Sequence, residues 1–114
     1  MILFKPQHVA LILSGQKTQT RRLWPSGRRV NPGSTQQART KMLDASSTFT
    51  NLQIKKVWQE RLSDISEADS RAEGYADREA YLAAFCMINK MPKDAALDCV
   101  VWCVAFEMAG KEGA

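Results

Sequence analysis

Residues 15–22 read Gly-Gln-Lys-Thr-Gln-Thr-Arg-Arg, a glycine followed by seven polar residues of which three are basic. The apolar residues between positions 9 and 13 precede this segment with helical spacing, and Ser14-Gly15 is a typical helix end. Threonine favours β-strands, so residues 17–23 are predicted to form an exposed or edge strand after that helix. The chain therefore carries three closely spaced cations where a helix turns into a strand.

On either side of this segment, the pattern alternates short strands, loops and helices. Upstream, Ile2-Leu3-Phe4 is a short apolar run that favours a strand, and Pro6 suits the first turn of the following helix. Together with the elements predicted downstream, this alternation is typical of an α+β protein built around a mixed or barrel-like sheet. The next elements predicted downstream are a Pro- and Gly-rich loop at 24–33, a polar strand at 34–42, a Ser- and Thr-rich loop at 44–50, and a strand at 52–60 with a bulge at Lys55-Lys56. Two helices follow, one capped by Ser66 and ending at Gly74, the other capped by Asp77 and ending at Met91-Pro92. The last element is a buried apolar strand at 99–106.

Length and composition favour one folded domain. With 114 residues, 45% of them apolar and 25% charged, the chain can bury a core and lacks the low hydrophobicity of disordered proteins. We predict one domain over residues 1–108 and a flexible tail over residues 109–114. No apolar run approaches the roughly eighteen residues that span a bilayer, and the opening residues are interrupted too soon for a signal peptide. A cytoplasmic location without membrane contact is therefore expected.

The net charge of +4 is unevenly distributed along the chain. Residues 1–61 contain eleven Lys or Arg and two acids, for a formal charge of +9, whereas residues 62–114 contain five basic residues and ten acids, for −5. Clustered cations favour a polyanionic partner, because phosphates attract them. The asymmetry predicts a basic surface that faces a polyanion, unless folding mixes the two halves and averages the charge.

The metal-ligating residue types form no recognisable site. Cys86, Cys99 and Cys103 are an odd number, form no C-x-x-C pair and lie among large apolar residues, which favours reduced core thiols over disulfides or zinc. His8, the only histidine, has no metal-ligand partner nearby in sequence and is expected to be structural or partly exposed. The basic half also lacks a cluster of Asp, Glu and His. We therefore expect neither a metal nor another cofactor.

The segment at 15–22 resembles the G-x-K-x-x-x-x-R pattern of the ASCH family, with Gly15, Lys17 and Arg22 at the three specified positions. Further blocks resemble the family in the same order: the leading Leu-Phe-Lys-Pro, then Leu-Ser-Asp-Ile-Ser-Glu-Ala-Asp followed by Ala-Glu-Gly-Tyr, and the closing Val-Val-Trp-Cys-Val-Ala-Phe-Glu. Nearly the whole chain is covered. The resemblance implies a PUA-like mixed β-barrel flanked by helices, with a cleft lined by the segment.

In this family the cleft is used for RNA or nucleotide-like ligands, so the resemblance implies RNA or a modified nucleoside as the partner. Small bacterial amidohydrolases of the family, which remove the acyl group from N4-acetylcytidine, use a Lys, a Thr three residues later and a distant Glu. The resemblance places Lys17, Thr20 and Glu73 in these positions. Amide hydrolysis needs a nucleophile, a base and an acid, and these three side chains can supply them as Thr20, Lys17 and Glu73 respectively.

Two conditions follow for this catalytic set. Lys17 has to lose its proton near neutral pH, which requires burial or nearby positive charge such as Arg21 and Arg22. Lys17 and Thr20 are three positions apart, so a flat strand places them on opposite faces and the set needs a bulge or turn between them. The basic Arg28-Arg29 loop also replaces the acidic stretch of the amidohydrolases, which puts the acylcytidine specificity in doubt.

The expected ligand-binding surface contains the segment itself and the cations and tryptophan that follow it. Guanidinium groups suit phosphate, and a tryptophan can stack on a base or pack over the barrel mouth. Three functions stay open: an RNA- or nucleoside-binding domain, an amidohydrolase acting on acylated cytidine, and a single-stranded ribonuclease. The residues do not specify an oligomeric state. The predicted binding residues are Gly15, Lys17, Arg21, Arg22, Trp24, Arg28, Arg29, Arg39 and Lys41.

Overall fold

A computed structural model describes residues 1–110 of the chain. This part of the chain forms five strands and four α-helices, with short 3-10 turns between some of them. The protein is therefore α+β, as predicted. In chain order the elements are β1 (Ile2–Leu3), α1 (Val9–Leu13), β2 (Gln19–Arg22), β3 (Thr35–Arg39), β4 (Thr48–Arg61), α2 (Glu67–Ala72), α3 (Arg78–Asn89), α4 (Lys93–Asp98) and β5 (Val100–Met108).

The strands form one curled, half-barrel sheet in the order β1-β3-β4-β5-β2. The β1–β3 pair is parallel and the other three pairs are antiparallel, so the sheet is mixed, as expected. The register of β4 against β5 shifts between Ile54 and Lys56, which confirms the predicted bulge and lets the longest strand bend. β1 and β2 are the two edges of the half-barrel.

Hydrophobic side chains pack on both faces of this sheet. One core joins α1 and β1 to the sheet, and the other packs α3 and α4 against it. β5 contributes to both, because alternate residues of a strand point to opposite faces. Val104 and Phe106 belong to the first core, and Val101 and Cys103 belong to the second. This confirms β5 as the buried central strand predicted from its continuous apolar run.

Both predicted helix starts carry their capping hydrogen bonds. The Ser66 hydroxyl accepts from the Asp69 amide at 2.9 Å, at the start of α2. The Asp77 carboxylate accepts from the Ala80 amide at 2.8 Å, at the start of α3. Each side chain satisfies one of the amides that a helix leaves unpaired at its first turn.

α2 ends in a Schellman motif around Gly74, which has a positive φ of 101°. The Gly74 amide donates to the Arg71 carbonyl, and the Tyr75 amide donates to the Ser70 carbonyl. A β-carbon at Gly74 would lie 3.0 Å from Leu11 Cδ1, so both the backbone angle and the close approach of α1 require glycine. The motif fixes the direction of the chain on both sides of Gly74.

Two strand starts differ by two residues or more from the predicted ones, and β3 ends at Arg39 rather than at residue 42. β2 begins at Gln19 rather than at residue 17, because the Lys17 amide donates to a carbonyl of α1 and the Thr18 amide donates to the last carbonyl of α2. β4 begins at Thr48, inside the loop predicted at 44–50, because Thr48 pairs with Arg39 of β3. In both places tertiary hydrogen bonds override the local propensity of the sequence.

α4 was not predicted, since the Met91-Pro92 pair was interpreted only as the end of α3. α3 does end there, with Lys90 in a left-handed conformation at its C-cap. Pro92 then serves as the N-cap of α4, where the missing amide hydrogen of proline removes no helical hydrogen bond, because amides at the start of a helix have no partner within it. The helix is six residues long and is anchored by the fully buried Ala96.

Only the first part of the tail predicted at 109–114 is described. The Ala109 amide donates to the Asn51 carbonyl at 2.8 Å, just beyond the end of β5. Residues 111–114 lie outside the described part of the chain. Within residues 1–110, no helix combines the length and apolar character needed to cross a bilayer.

Candidate ligand-binding site

A cavity of about 320 Å³ lies where the sheet edges β1 and β2 meet the end of α2 and one face of α3. Lys5, Arg29 and Ile88 are exposed members of its wall, so the cavity reaches the surface. The fold brings together all three predicted catalytic residues here, with five of the predicted binding residues. The lining residues are Leu3, Phe4, Lys5, His8, Lys17, Thr20, Arg21, Arg22, Leu23, Trp24, Arg29, Glu73, Tyr75, Tyr81, Phe85, Ile88 and Asn89.

Lys17 enters the cavity wall from the segment before β2 and is only 2% exposed. Its ammonium group donates to Glu73 Oε1 at 3.2 Å, to the Glu73 carbonyl oxygen at 2.6 Å and to the Gln19 carbonyl oxygen at 3.0 Å. Burial lowers the pKa of Lys17 despite the opposing Glu73 carboxylate, and Arg22 and Arg21 add to the lowering. The three acceptors replace the water that burial removes from the ammonium group.

Arg21 lies behind this pair with a fully buried side chain. Its Nε donates to Glu60 at 2.8 Å, its Nη1 to Glu73 Oε2 at 3.0 Å and to Gln19 Oε1 at 2.8 Å, and its Nη2 to Asp69 at 3.2 Å. Burial opposes its charge, but the carboxylates of Glu73 and Glu60 outweigh this and raise the pKa of Arg21. Both carboxylate oxygens of Glu73 therefore accept from a cation, and Arg21 directs four of its five N–H donors to groups inside the protein.

Arg22 bridges the two edges of the half-barrel. Its Nε donates to the Thr20 hydroxyl at 2.9 Å, and its Nη2 donates to the Leu3 carbonyl oxygen at 2.5 Å. The guanidinium carbon lies 5.2 Å from the centre of the Phe4 ring, within cation–π range. Because Leu3 belongs to β1 and Arg22 to β2, this side chain ties together two strands that are not neighbours in the sheet. It also orients the hydroxyl of Thr20.

In the structure, Lys17 and Thr20 do not lie on opposite faces of one strand. Lys17 precedes β2 and follows the turn at the end of α1, whereas Thr20 is the second residue of the strand. Both are buried, and both line the same cavity. The turn lies before Lys17 rather than between the two residues, and both side chains nevertheless reach one cavity.

An aromatic wall, formed by His8, Tyr75, Tyr81 and Phe85, closes the other side of the cavity. Neighbouring rings lie 5.6 to 6.2 Å apart, and the His8–Tyr75 and Tyr75–Tyr81 pairs are edge-to-face. The Tyr75 hydroxyl lies 3.3 Å from His8 Nε2. Burial raises the pKa of both tyrosines, with Glu73 acting in the same direction, so they are neutral phenols at physiological pH.

His8 is also neutral at physiological pH. Burial lowers its pKa to about 4, and the cations Lys17, Arg22 and Lys5 act in the same direction. The cavity thus combines one neutral imidazole and neutral phenols with an ammonium group, a carboxylate and guanidinium groups. Such a mixture offers both hydrogen-bond donors and acceptors to a ligand.

Four of the predicted binding residues do not line this cavity. Gly15 lies beside a separate cavity of about 420 Å³ between α1 and β5. Arg28 and Lys41 are exposed, on the loop after β2 and on the turn after β3 respectively. The Arg39 guanidinium is held by side chains of β3 and β4 and by a carbonyl oxygen of the turn between them.

Sequence reasoning missed the aromatic side of the cavity and the rim residue Lys5. His8 was interpreted as structural or partly exposed because it has no metal-ligand neighbour in sequence, and it is half-buried. Nothing local indicates that it faces Tyr75, 67 positions away. The sequence does contain a pattern that indicates the position of Tyr75. It follows the glycine that ends a capped helix, and a Schellman motif fixes the direction of the residue after that glycine.

The sequence matches no family model and no curated protein. The fold is similar to a solved structure of an Enterococcus faecalis protein described by the family model DUF984, with a TM-score of 0.68 and 16% identity over 96% of this chain and 82% of that chain. It is also similar to an ASCH domain from Lactobacillus crispatus, with a TM-score of 0.59 and 19% identity over 88% of this chain and 69% of that chain. In keeping with the resemblance of its sequence, the chain has the ASCH-type, PUA-like fold.

Proposed function

We propose that the chain binds a modified nucleoside, free or as an unpaired nucleotide of RNA, in the cavity between β1, β2, α2 and α3. The observation that carries the proposal is the convergence of buried polar groups and aromatic rings on one cavity that reaches the surface. Its volume of about 320 Å³ lies at the lower end of the range of small-ligand sites, which is about 300–1,000 Å³. A single base with its sugar suits this size.

The composition of the wall supports a heteroaromatic ligand. Phe4, Tyr75 and Phe85 supply ring surfaces against which a base can stack or pack. Lys17 supplies positive charge and Thr20 a hydroxyl at fixed positions, because both side chains are hydrogen-bonded within the protein. Binding sites for small ligands are mostly apolar with a few placed polar groups of this kind.

The rim of the cavity supports a ligand that carries phosphate. Lys5 and Arg29 are exposed cations in its wall, and both come from the basic half of the chain. Arg22 uses two of its five N–H donors within the protein, so three remain for a ligand. A nucleotide within RNA has a phosphate on either side of its sugar, and such cations would contact it there.

Calorimetric titration with N4-acetylcytidine, cytidine and a short single-stranded RNA tests the proposal. We expect saturable binding that Lys17→Met weakens at least about tenfold, a loss of about 1.4 kcal/mol. Lys55→Ala is the matched control, because Lys55 is 56% exposed and pairs with Glu107 on the surface. Failure of all three ligands to bind the wild-type protein would refute the proposal.

A second candidate function, hydrolysis of an acylated cytidine, is favoured by the placement of Lys17, Thr20 and Glu73 in one cavity. In the free protein the hydrogen between Lys17 and Glu73 belongs to the Lys17 ammonium, and Arg21 donates to the other oxygen of the same carboxylate. The predicted roles need the opposite state. Transfer of that one proton along the 3.2 Å hydrogen bond would make Lys17 a base and Glu73 an acid in the same step.

Starting from a neutral Lys17 amine and a protonated Glu73, the reaction conserves atoms and charge. Thr20 Oγ would attack the acyl carbon while its proton passes to the Lys17 amine, and the amide C–N bond would break as the leaving nitrogen takes the proton of Glu73. The products are cytidine and an acyl ester on Thr20, and the Lys17–Glu73 pair regains its original charges. Water would then cleave the ester and release the acid.

Chromatography of N4-acetylcytidine incubated with the protein separates the two candidates. Hydrolysis predicts release of cytidine that Thr20→Ala abolishes while N4-acetylcytidine still binds the variant. Binding of N4-acetylcytidine without cytidine release would leave the binding function and eliminate the hydrolase. Single-stranded RNA incubated in parallel tests the ribonuclease alternative through the appearance of shorter fragments.

A further inference from the structure

The turn between β3 and β4, residues 40–47, exposes two large apolar side chains outside the cavity. Leu43 is 96% exposed and Met42 is 57% exposed, and Leu43 is the most exposed large apolar side chain within residues 1–110. We propose that this turn binds the stretch of single-stranded RNA that flanks the nucleotide in the cavity, with Lys41 at a phosphate and Leu43 against a base. The inference rests on the proposed function, because it requires an RNA nucleotide rather than a free nucleoside in that cavity.

Hydrogen bonds within the turn hold its exposed side chains at fixed positions. The Ser47 hydroxyl accepts from the Lys41 amide at 3.1 Å and lies 3.0 Å and 2.6 Å from the carbonyl oxygens of Lys41 and Asp44. The Arg39 guanidinium donates to the Met42 carbonyl oxygen at 3.1 Å. A turn that is ordered before binding loses little conformational entropy when a ligand packs against it.

The turn lies near the rim of the cavity because β1 and β3 are paired. The Phe4 amide donates to the Arg39 carbonyl at 2.8 Å, and Lys5 and Lys41 follow these two residues by one and two positions. Because consecutive Cα atoms are about 3.8 Å apart, the Cα atoms of Lys5 and Lys41 lie within roughly 18 Å of each other. Lys5 is an exposed member of the cavity wall. With phosphates about 3.4 Å apart along a helical strand, about five nucleotides cover that distance.

The charges along this stretch of surface favour a polyanion. Lys5 and Lys41 are exposed and Arg39 is partly exposed, so three cations lie between the cavity rim and the turn. The turn contains one carboxylate, Asp44, which accepts from the amide and the hydroxyl of Ser46. No Asp or Glu precedes Asp44 in the chain. Cations therefore outnumber carboxylates along this path, and a phosphate backbone would release its counterions there.

The small size of the apolar surface favours RNA bases over a bilayer. Binding to a membrane surface requires a broad apolar face, whereas Met42 and Leu43 are two neighbouring side chains. Leucine and methionine are among the side chains that pack between bases in nucleic-acid complexes. An unpaired base offers its ring face to such a side chain without the cost of breaking a duplex. A cation beside two fixed apolar side chains thus matches a single strand, which alternates phosphates with accessible bases.

Fluorescence titrations with a single-stranded RNA of about ten nucleotides and with a dinucleotide test the inference. The longer RNA should bind the wild-type protein at least about tenfold more tightly, because only this RNA reaches from the cavity to the turn. Leu43→Ser should weaken binding of the longer RNA at least about fivefold and leave the affinity for the dinucleotide unchanged. Lys41→Ala should reduce the slope of log affinity against log salt for the longer RNA by about 0.7.

Both variants have matched controls in other parts of the fold. Val100→Ser alters an exposed apolar residue that pairs with Arg61, at the end of β4 farthest from the turn. Lys93→Ala removes an exposed cation from α4. Neither control should change the affinity or the salt slope. Lys41→Ala preserves the turn, because Ser47 contacts only main-chain atoms of Lys41.

The outcomes separate this inference from the proposed function. Wild-type affinity of Leu43→Ser for the longer RNA, or equal weakening by Val100→Ser, would overturn the inference and leave the cavity as the binding site. Weakening by Leu43→Ser without any effect of Lys17→Met would contradict the proposed function but not the RNA contact at the turn. Sedimentation with phosphatidylserine vesicles tests the bilayer. Vesicle binding that Leu43→Ser abolishes, with RNA affinity unchanged, would equally overturn the inference.

Discussion

Lys17 and Glu73 are 2% and 3% exposed, although lysine and glutamate are almost never buried unless they are paired. Their hydrogen bond and the support from Arg21 satisfy that condition. A buried ion pair of this kind adds little stability over apolar packing, because removing two charges from water offsets their attraction. Its position beside a cavity therefore supports the ligand site proposed there.

Removal of Glu73 should destabilise the fold, since it leaves the Lys17 ammonium buried without its carboxylate. We expect Glu73→Ala to lower the free energy of unfolding by about 3 kcal/mol. In a domain of this size the melting temperature would fall by roughly 12 °C. Urea and thermal denaturation followed by circular dichroism measure the change.

Asp98→Ala is the control for this prediction, because the Arg61–Asp98 ion pair is exposed on both sides. Exposed ion pairs contribute little, so the free energy of unfolding should stay within about 0.5 kcal/mol of wild type. Equal destabilisation by the two substitutions would contradict the structural importance of the buried pair.

The environment of His8 predicts a pH dependence of stability. Its pKa falls from the ordinary 6.5 to about 4 on folding, so between these values the unfolded chain binds more protons than the folded one. The contribution of His8 to stability is therefore fully present above pH 6.5 and is lost as the pH falls towards 4. Denaturation of wild type and His8→Gln from pH 4 to 7 should show wild type gaining stability relative to the variant as pH rises. A constant difference would contradict it.

At the scale of elements, three residues of the candidate site lie at or just beyond the ends of helices and turns. Lys17 lies between α1 and β2, Glu73 is the C-cap of α2, and His8 ends a 3-10 turn. Element ends leave main-chain groups free, and the Lys17 ammonium uses one of these, the Glu73 carbonyl. Arg22 then closes the open side of the half-barrel by joining β2 to β1.

The loop between β2 and β3 offers a matched pair of variants. Arg28 and Arg29 are adjacent and exposed, but only Arg29 lines the cavity. Arg29→Ala should weaken binding of single-stranded RNA and reduce the slope of log affinity against log salt by about 0.7, the value for one lost phosphate contact. Arg28→Ala should leave the slope nearly unchanged. Fluorescence titrations at several salt concentrations measure both, and equal effects would place the RNA elsewhere on the loop.

At the scale of the whole molecule, folding brings the basic and acidic halves of the chain together. Arg21 belongs to the basic half, yet two of its carboxylate partners, Asp69 and Glu73, come from the acidic half. The buried part of the predicted basic surface is thus neutralised inside the protein. The exposed cations at the cavity rim and on the loop after β2 remain available to a polyanion.

The two hydrophobic cores should unfold together, because β5 supplies side chains to both of them. Leu52→Ala in one core and Leu82→Ala in the other should each lower the free energy of unfolding by about 3 kcal/mol. Each variant should show a single transition with the same midpoint by far-ultraviolet and near-ultraviolet circular dichroism. A variant that loses near-ultraviolet signal first would indicate two independently stable cores.

Much of the fold follows from local sequence patterns. The caps at Ser66 and Asp77, the helix end at Gly74 and the bulge near Lys55 all depend on residues close in sequence, and the structure confirms each. The start of β2 and the helix α4 do not follow from local sequence patterns. The first depends on hydrogen bonds to α1 and α2, and the second on packing of Ala96 against the core formed with α3.

The amino-acid sequence by itself determined the α+β class, the buried central strand and the segment that carries Lys17, Thr20 and Arg22, because helical spacing, apolar runs and capping residues act over a few positions. Tertiary structure alone decided which charges are paired and which face the cavity. Arg21 and Arg22 are neighbours with the same side chain, yet Arg21 meets three carboxylates and Arg22 reaches a carbonyl of β1. Partners contributed by distant segments cannot be inferred from local pattern, since their positions depend on how the sheet curls and where the helices pack.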